Sequence, residues 1–265
     1  MQKPRSIQAA LPDPEVIDLQ ELKWALDDGS VELVCVLGPT ASGKTKYAVA
    51  LARELGGEII SADSRQVYRG MDIGTGKDLA EYGEIRYHVI DVADPGDGYN
   101  VFRFKEDFSR AYEDIRSRGA VPILCGGTGL YINAVTSGYD FRTHKPLSEP
   151  GSTGNSVVPR TYFIGTLVSR EVRNARIDAR LDARLQEGMI DEIKGLLDNG
   201  VPAATLISYG LEYKYVTLYL TGELDYGSMR EKLAIAIHQF AKRQMTWFRG
   251  MERSGVIIHW TDPVL

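Results

Sequence analysis

The chain has 265 residues, 43% of them hydrophobic and 25% charged, a balance that excludes disorder and fibrous repeats and suffices for one large core or two small ones. Its formal charge of -5, from 31 Lys+Arg against 36 Asp+Glu, supplies no global positive field to hold a polyanion nonspecifically. Cys35 and Cys125 lie in apolar runs and read as buried thiols without a disulfide framework, as expected in a reducing cytoplasm.

Residues 1–30 contain Pro12 and Pro14 and no apolar stretch of export-signal type, and only a short helix from Asp18 to Asp28 is expected there. No window reaches the roughly 18 apolar residues of a membrane span, so no membrane partner is expected. Val31 to Leu37 predicts a buried strand ending in Gly38, followed by a helix from Lys44 to Leu55 that Gly56-Gly57 closes. Glu58 to Ala62 and Tyr87 to Val92 predict two more strands. After Asn100, an N-cap candidate, apolar residues at 101, 104, 108, 111, 112 and 115 predict a helix up to Gly119. Val121 to Cys125 predicts a further strand that enters Gly126-Gly127-Thr128 and a second helix start. Strands alternating with helices need crossovers, which predicts an α/β fold with a parallel sheet flanked by helices.

Between Ser137 and Arg160 the composition turns to Gly, Ser and Pro, and Pro146, Pro150 and Pro159 exclude a long helix, so a loop with hinge character is expected. Tyr162 to Val168 predicts a strand. From Ser169 one long helical pattern runs to Asn199-Gly200, Met229 to Arg249 predicts an amphipathic helix, and Val256 to Trp260 a terminal strand. The expected organisation is thus an N-terminal extension (1–30), an α/β core (31–136), a Pro/Gly/Ser-rich loop (137–160) and a C-terminal part (161–265) whose helices pack on the same core.

Gly38-Pro39-Thr40-Ala41-Ser42-Gly43-Lys44-Thr45 fits G-x-x-x-x-G-K-[ST], and its place between a buried strand and a helix predicts a P-loop NTPase-like sheet. Backbone N–H groups of such a loop turn toward phosphate oxygens, the helix N-terminus adds partial positive charge, Lys44 supplies a full one, and the Thr45 hydroxyl can ligate Mg²⁺. Polyphosphate or diphosphate binding follows; whether the bound phosphate is transferred, hydrolysed or expelled does not.

A second motif, Ser61-Ala62-Asp63-Ser64-Arg65-Gln66-Val67-Tyr68-Arg69-Gly70-Met71-Asp72-Ile73-Gly74-Thr75-Gly76-Lys77, resembles, together with the loop, the tRNA dimethylallyltransferase (isopentenyltransferase) family. The likeness continues at Gly126 to Tyr131, Arg176 to Leu181 and Ala241 to Arg249, and so covers 31–136 and 162–260. The resemblance implies transfer of a dimethylallyl group from its diphosphate to N6 of an adenine, usually next to the anticodon of tRNA, with Mg²⁺ as cofactor. Asp63 would accept the proton of the adenine amine. An ordinary carboxylate, with a pKa of about 4, is too weak a base to strip that amine before positive charge develops on nitrogen. Asp63 is therefore an orienting acceptor first and a base late; its bland role is a cap at a strand end.

Lys44, Mg²⁺ and Arg180, at the place of the family's catalytic arginine, would neutralise the departing diphosphate. Arg173, Arg176, Arg180 and Arg184 form one helical stripe beside Ile177, Leu181 and Leu185, which taken alone is a solvated face. Ser64, Arg65, Gln66 and Thr128 are candidate contacts to the adenine or tRNA, Thr128 doubling as an N-cap candidate. Lys242, Arg243, Gln244, Trp247 and Arg249 mix cations with an aromatic, as phosphate contact and base stacking require, although Trp247 reads first as a core residue. Tyr68 and Tyr131 fit either a prenyl pocket or the core.

The sequence departs from the family in the interval 137–160, too short for the usual helical insertion with its arginine-rich stretch, at His238, where an arginine is usual, and at Ser208-Tyr209-Gly210 in place of Gly-Tyr. The retained stretch from Lys242 to Arg249 favours a tRNA anticodon arm as acceptor, with a free adenine nucleotide as the alternative and a small P-loop kinase as a more distant reading. The segments 160–184 and 238–253 are each locally +3, which suits docking of a polyanion on one face of a molecule expected to act as a monomer.

Overall fold

The computed structural model describes residues 11–137, 139–140, 145–146 and 158–263. Asp18 caps α1 (Leu19–Asp27), accepting hydrogen bonds from the Gln20 and Glu21 amides. A strand of uninterrupted apolar residues, β1 (Leu33–Leu37), leads through the phosphate loop into α2 (Lys44–Leu55), and β2 (Gly57–Ser61) follows. A short 3-10 helix (Leu79–Tyr82) and β3 (Tyr87–His88) come next. Asn100 caps α3 (Val101–Ser117) through the Phe102 and Arg103 amides, as its position predicts. Then come β4 (Val121–Gly126), α4 (Gly129–Thr136) and a two-stranded antiparallel ribbon of β5 (Tyr139–Asp140) and β6 (Lys145–Pro146). The rest of the loop expected over 137–160, with its hinge, lies largely outside the described residues.

After it, β7 (Thr161–Thr166) is followed by α5 (Arg170–Gln186), α6 (Met189–Asp198), α7 (Ala203–Tyr209), α8 (Leu211–Leu220), the long α9 (Tyr226–Arg253) and β8 (Ile258–Thr261).

The six long-range strands form one parallel sheet in the order β3-β2-β4-β1-β7-β8. Alternation along β1 divides the core: Leu33, Cys35 and Leu37 face the side of α3, α4 and the C-terminal helices, while Val34 and Val36 face α1 and α2. Both faces are covered, as parallel strands with helical crossovers require. Each fully buried Leu, Ile or Phe contributes about 1.5–3 kcal/mol relative to exposure, and both cysteines are buried free thiols in these layers. Register sets the working edge: Leu37 lies opposite both Gly126 and Gly165, and Ser61 opposite Cys125, so the segments following β1, β2, β4 and β7 emerge side by side.

Arg160 fixes where the chain rejoins the sheet. Its amide donates to the Glu32 carboxylate at 3.0 Å, its Nε to the Gly29 carbonyl at 3.0 Å, and its own carbonyl accepts from the Glu32 amide at 2.8 Å.

Two expectations change. The strand expected over Tyr87 to Val92 lasts only two residues, because Val89 and Asp91 adopt positive φ (62° and 54°) and the Asp91 and Val92 amides bond to the Gln66 and Val67 carbonyls. Lys77 holds that turn; its side chain is 0% exposed, and its ammonium donates to the Tyr68 carbonyl (2.8 Å), Asp72 (2.6 Å) and Asp91. The long helical pattern after Ser169 is two helices, since Gly188 at φ 103° breaks it. Replacing Lys77 by Met should lower stability by about 2–3 kcal/mol, less than the ~3–5 kcal/mol for breaking a fully buried pair because both carboxylates reach solvent; urea unfolding midpoints measure it.

Candidate active site

The four strand-end segments enclose a cavity of about 430 Å³. Its wall includes Thr40, Lys44 and Thr45 from the phosphate loop, Asp63 to Gln66 after β2, Thr128 after β4, Arg180 from α5, and Arg243 and Gln244 from α9. Sequence-distant motifs thus converge on one space.

The phosphate loop is shaped by close contacts on both flanks. Ala41 and Gly43 take positive φ (63° and 86°), and the Ser42 hydroxyl lies 2.6 Å from that of Thr166 at the end of β7. Thr40 is tied from two sides: its amide donates to Gln244 Oε1 at 2.8 Å, and its hydroxyl accepts from Arg180 Nη2. Lys44 opens α2 at the loop's end, and burial lowers its ammonium from the ordinary value while Asp63 opposes that shift. Arg180 is half-buried, and desolvation pushes its guanidinium down to about 10, with the like charge of Arg184 adding to the effect. Neither cation has a carboxylate within ion-pair distance among the described residues, so the cavity presents uncompensated positive charge to an anion.

Asp63 takes the capping role its position allows and keeps one oxygen uncommitted. Oδ1 accepts from the Arg65 and Gln66 amides at 2.8 and 3.3 Å, capping the turn after β2, while Oδ2 bonds to no other described residue. Thr128 makes no cap bond to α4; instead its hydroxyl accepts from the Ser64 amide at 3.1 Å, and its own amide donates to the Ala62 carbonyl. The turns after β2 and β4 are therefore stitched together. Gln66 spends its amide on the Gly76 carbonyl (3.3 Å) and the Ser61 hydroxyl (3.4 Å), and the Arg65 guanidinium stands 5.3 Å from the Tyr209 ring centre.

Other expected site residues fall elsewhere. Tyr68 and Tyr131 are core residues, Tyr68 packed on Tyr209 and Tyr131 stacked on Phe104 at 4.2 Å, and neither lines the cavity. Trp247 is 41% exposed rather than core, its ring lying against Gly129. Lys242 is exposed and Arg249 partly buried on α9, both outside the cavity wall. The arginine stripe divides: Arg176 stays in solvent, while Arg180 and Arg184 turn inward.

Sequence reading passed over several wall residues. Tyr82, Tyr209, Tyr213, Ile237 and Phe240 give the cavity an apolar side. Glu212 lies 3.6 Å from Arg184; burial raises its carboxyl above the ordinary range, and the guanidinium opposes the rise. Arg184 passes so close to Gly76 (φ 63°) that a Cβ there would clash with its guanidinium, which explains a glycine at that place in the second motif. Glu192 accepts from the Asp72, Ile73 and Gly74 amides at 2.8, 2.6 and 3.1 Å and from the Tyr213 hydroxyl, tying α6 and α8 to the same motif. The four-residue step from Arg180 to Arg184 was a usable signal for Arg184; nothing local marks Glu192 or Glu212.

Replacing Arg184 by Met removes the cation that opposes protonation of Glu212. The Glu212 carboxyl should then titrate at higher pH than in the wild type, as carboxyl ¹³C NMR of glutamate-labelled protein would show.

Comparison with known proteins agrees with this geometry. A family model described as IPP transferase matches residues 66–157 and 141–251, and one described as isopentenyl transferase matches 31–87. The chain is 49% identical to tRNA dimethylallyltransferase 1 of Porphyromonas gingivalis over 289 aligned positions, covering 88% of this chain and 94% of the relative. It is 46% identical to tRNA dimethylallyltransferase 1 of Parabacteroides distasonis, covering 89% and 94%. Among solved structures, the tRNA isopentenylpyrophosphate transferase of Bacillus halodurans superimposes with a TM-score of 0.76 at 32% identity, covering 88% of this chain and 90% of that one. That of Staphylococcus epidermidis gives 0.75 at 30% identity, covering 87% and 92%. With its sheet, loop and motifs in this arrangement, the chain belongs to the tRNA dimethylallyltransferase family.

Proposed function

We propose that the protein transfers a dimethylallyl group from dimethylallyl diphosphate to N6 of an adenosine next to the anticodon of tRNA, releasing diphosphate. The observation that carries this reading is the convergence, in one cavity, of an anion cradle (Lys44, Arg180 and the loop) with a carboxylate, Asp63, that has one oxygen fixed by backbone and one uncommitted. The apolar side formed by Tyr82, Tyr209, Tyr213, Ile237 and Phe240 suits a five-carbon allyl group.

In the reaction the allylic C–O bond breaks, its electron pair leaving with the diphosphate, and the new bond forms from N6 to the terminal allylic carbon. Lys44 and Arg180 stabilise the charge that accumulates on the departing oxygens, and Arg180 exchanges the Thr40 hydroxyl for a phosphate oxygen as it does so. Asp63 orients the amine and takes its proton once the nitrogen has become cationic. The Thr45 hydroxyl, at the start of α2 and in the cavity wall, suits a Mg²⁺ that arrives with the diphosphate, since such ions are held by few protein oxygens plus substrate phosphates. When bound, Mg²⁺ would supply additional neutralisation of the leaving group.

Arg243 in the cavity wall and the exposed Lys242 and Trp247 on the same helix α9 would carry the RNA, Trp247 as a partly exposed platform. The alignment with the Porphyromonas relative spans 289 positions against 265 residues here, and the IPP transferase model matches in two pieces that meet at 141–157. Both support the reading that this chain lacks part of the relatives' insertion in that interval. A free adenine nucleotide or phosphoryl transfer from ATP is not favoured by any relative reported above. A cytoplasmic location follows from the substrate proposed.

Incubation with dimethylallyl diphosphate, Mg²⁺ and, in parallel, an anticodon stem-loop, AMP and ATP should add the prenyl mass to the stem-loop alone. Asp63→Ala should cut turnover by about 10²-fold or more while leaving diphosphate binding intact, whereas Lys44→Ala should weaken diphosphate binding itself. If about four RNA phosphates are neutralised, stem-loop affinity should fall with salt at a log–log slope of about -3 to -4, and a flat response would remove α9 from its RNA role.

A further inference from the structure

We infer that Gln244 is a positioning residue for the diphosphate cradle rather than a contact to RNA or adenine. The inference rests on the reading of the phosphate loop as that cradle. Gln244 lies on α9 between Lys242-Arg243 and Trp247, yet it is only 7% exposed, and both ends of its amide are used inside the protein. Oε1 accepts the Thr40 amide at 2.8 Å, and Nε2 donates to the Gly127 carbonyl at 2.9 Å. One side chain therefore spans from the phosphate loop after β1 to the turn after β4.

Three further observations make the bridge specific. A Cβ at Gly127 would clash with Gln244 Nε2, so the turn is built to admit the amide. Thr40 is also the residue whose hydroxyl accepts from Arg180, so Gln244 holds the backbone of the residue on which that arginine rests. Finally, Ala241, Gln244, Met245 and Phe248 form the buried stripe of α9, spaced three, four and seven residues from Ala241, while Lys242, Arg243 and Trp247 are exposed. The amide thus lies on the buried stripe of α9 and in the cavity wall, while Lys242 and Trp247 lie outside that wall. Without it, the Thr40 N–H and Gly127 C=O would lose their partners in a part-buried place, and the loop would have freedom to turn this amide elsewhere.

The test separates cradle from RNA. Binding of inorganic diphosphate with Mg²⁺ is measured by calorimetry, and binding of an anticodon stem-loop by fluorescence anisotropy, for wild type, Gln244→Leu and Gln244→Glu. Gln244→Leu should weaken diphosphate binding about tenfold and raise the KM for dimethylallyl diphosphate similarly, with stem-loop affinity unchanged within about twofold. Gln244→Glu keeps an acceptor for Thr40 but sets a carboxylate against the Gly127 carbonyl and in the anion cradle, so it should weaken diphosphate binding at least as much as Gln244→Leu. Gln244→Asn, whose amide is one methylene too short to span Thr40 and Gly127, should reproduce the selective loss and serves as the second variant if Gln244→Leu does not fold.

Unchanged diphosphate binding in Gln244→Leu, or lost stem-loop binding with diphosphate binding kept, would overturn the inference. An equal loss of both ligands in a variant that melts like the wild type would overturn it too. A wild type that fails to bind diphosphate would instead remove the cradle reading on which the inference stands.

Discussion

Parallel pairing is the constraint from which the site follows. Two parallel strands cannot be joined by a tight turn, so each must be followed by a segment that leaves the sheet at one edge and returns at the other. Because the ends of β1, β4 and β7 are in register at Leu37, Gly126 and Gly165, their outgoing segments share one place, and the phosphate loop lies between the turn after β4 and the end of β7. The chemistry is positioned by backbone hydrogen bonds of the sheet before any side chain contributes.

On that foundation the site is held by polar groups that bridge elements rather than by apolar packing. Thr40 meets α5 and α9 through its hydroxyl and amide, Thr128 meets the turn after β2, and Glu192 gathers three consecutive amides of the second motif. Such bonds are individually modest, about 1 kcal/mol net, but they are directional, which suits a cavity into which Lys44 and Arg180 point with no ion-pair partner among the described residues. Arg180 and Lys44 remain half-buried with no carboxylate within ion-pair distance among the described residues, an arrangement that a bound anion would relieve.

How much of this was legible in the sequence depended on whether a feature is local. The strands β1 and β4 and the helices α2 and α3 follow from apolar runs, periodicity and capping residues, all of which act over a few positions. The end of β3 did not, because Lys77 and the carbonyls of Gln66 and Val67 impose it from elsewhere in the chain. The break at Gly188 was visible as a glycine, though a glycine within a helical pattern does not by itself announce a left-handed residue. Asp63, Lys44 and Arg180 were legible through motif and resemblance. Gln244 was read with its charged neighbours although its spacing from Ala241, Met245 and Phe248 placed it on the buried stripe, and Glu212 carried no signal, since only the fold brings it to Arg184.

Arg160 has an evolutionary meaning beyond its hydrogen bonds. By clasping Glu32 and Gly29 immediately ahead of β7, it fixes the register of that strand against β1 independently of how much chain lies between α4 and this clasp. Closing a longer flexible excursion costs only about 0.6 kcal/mol for each doubling of its length. The interval is thus a slot whose length can change without disturbing the pairing of β7 with β1.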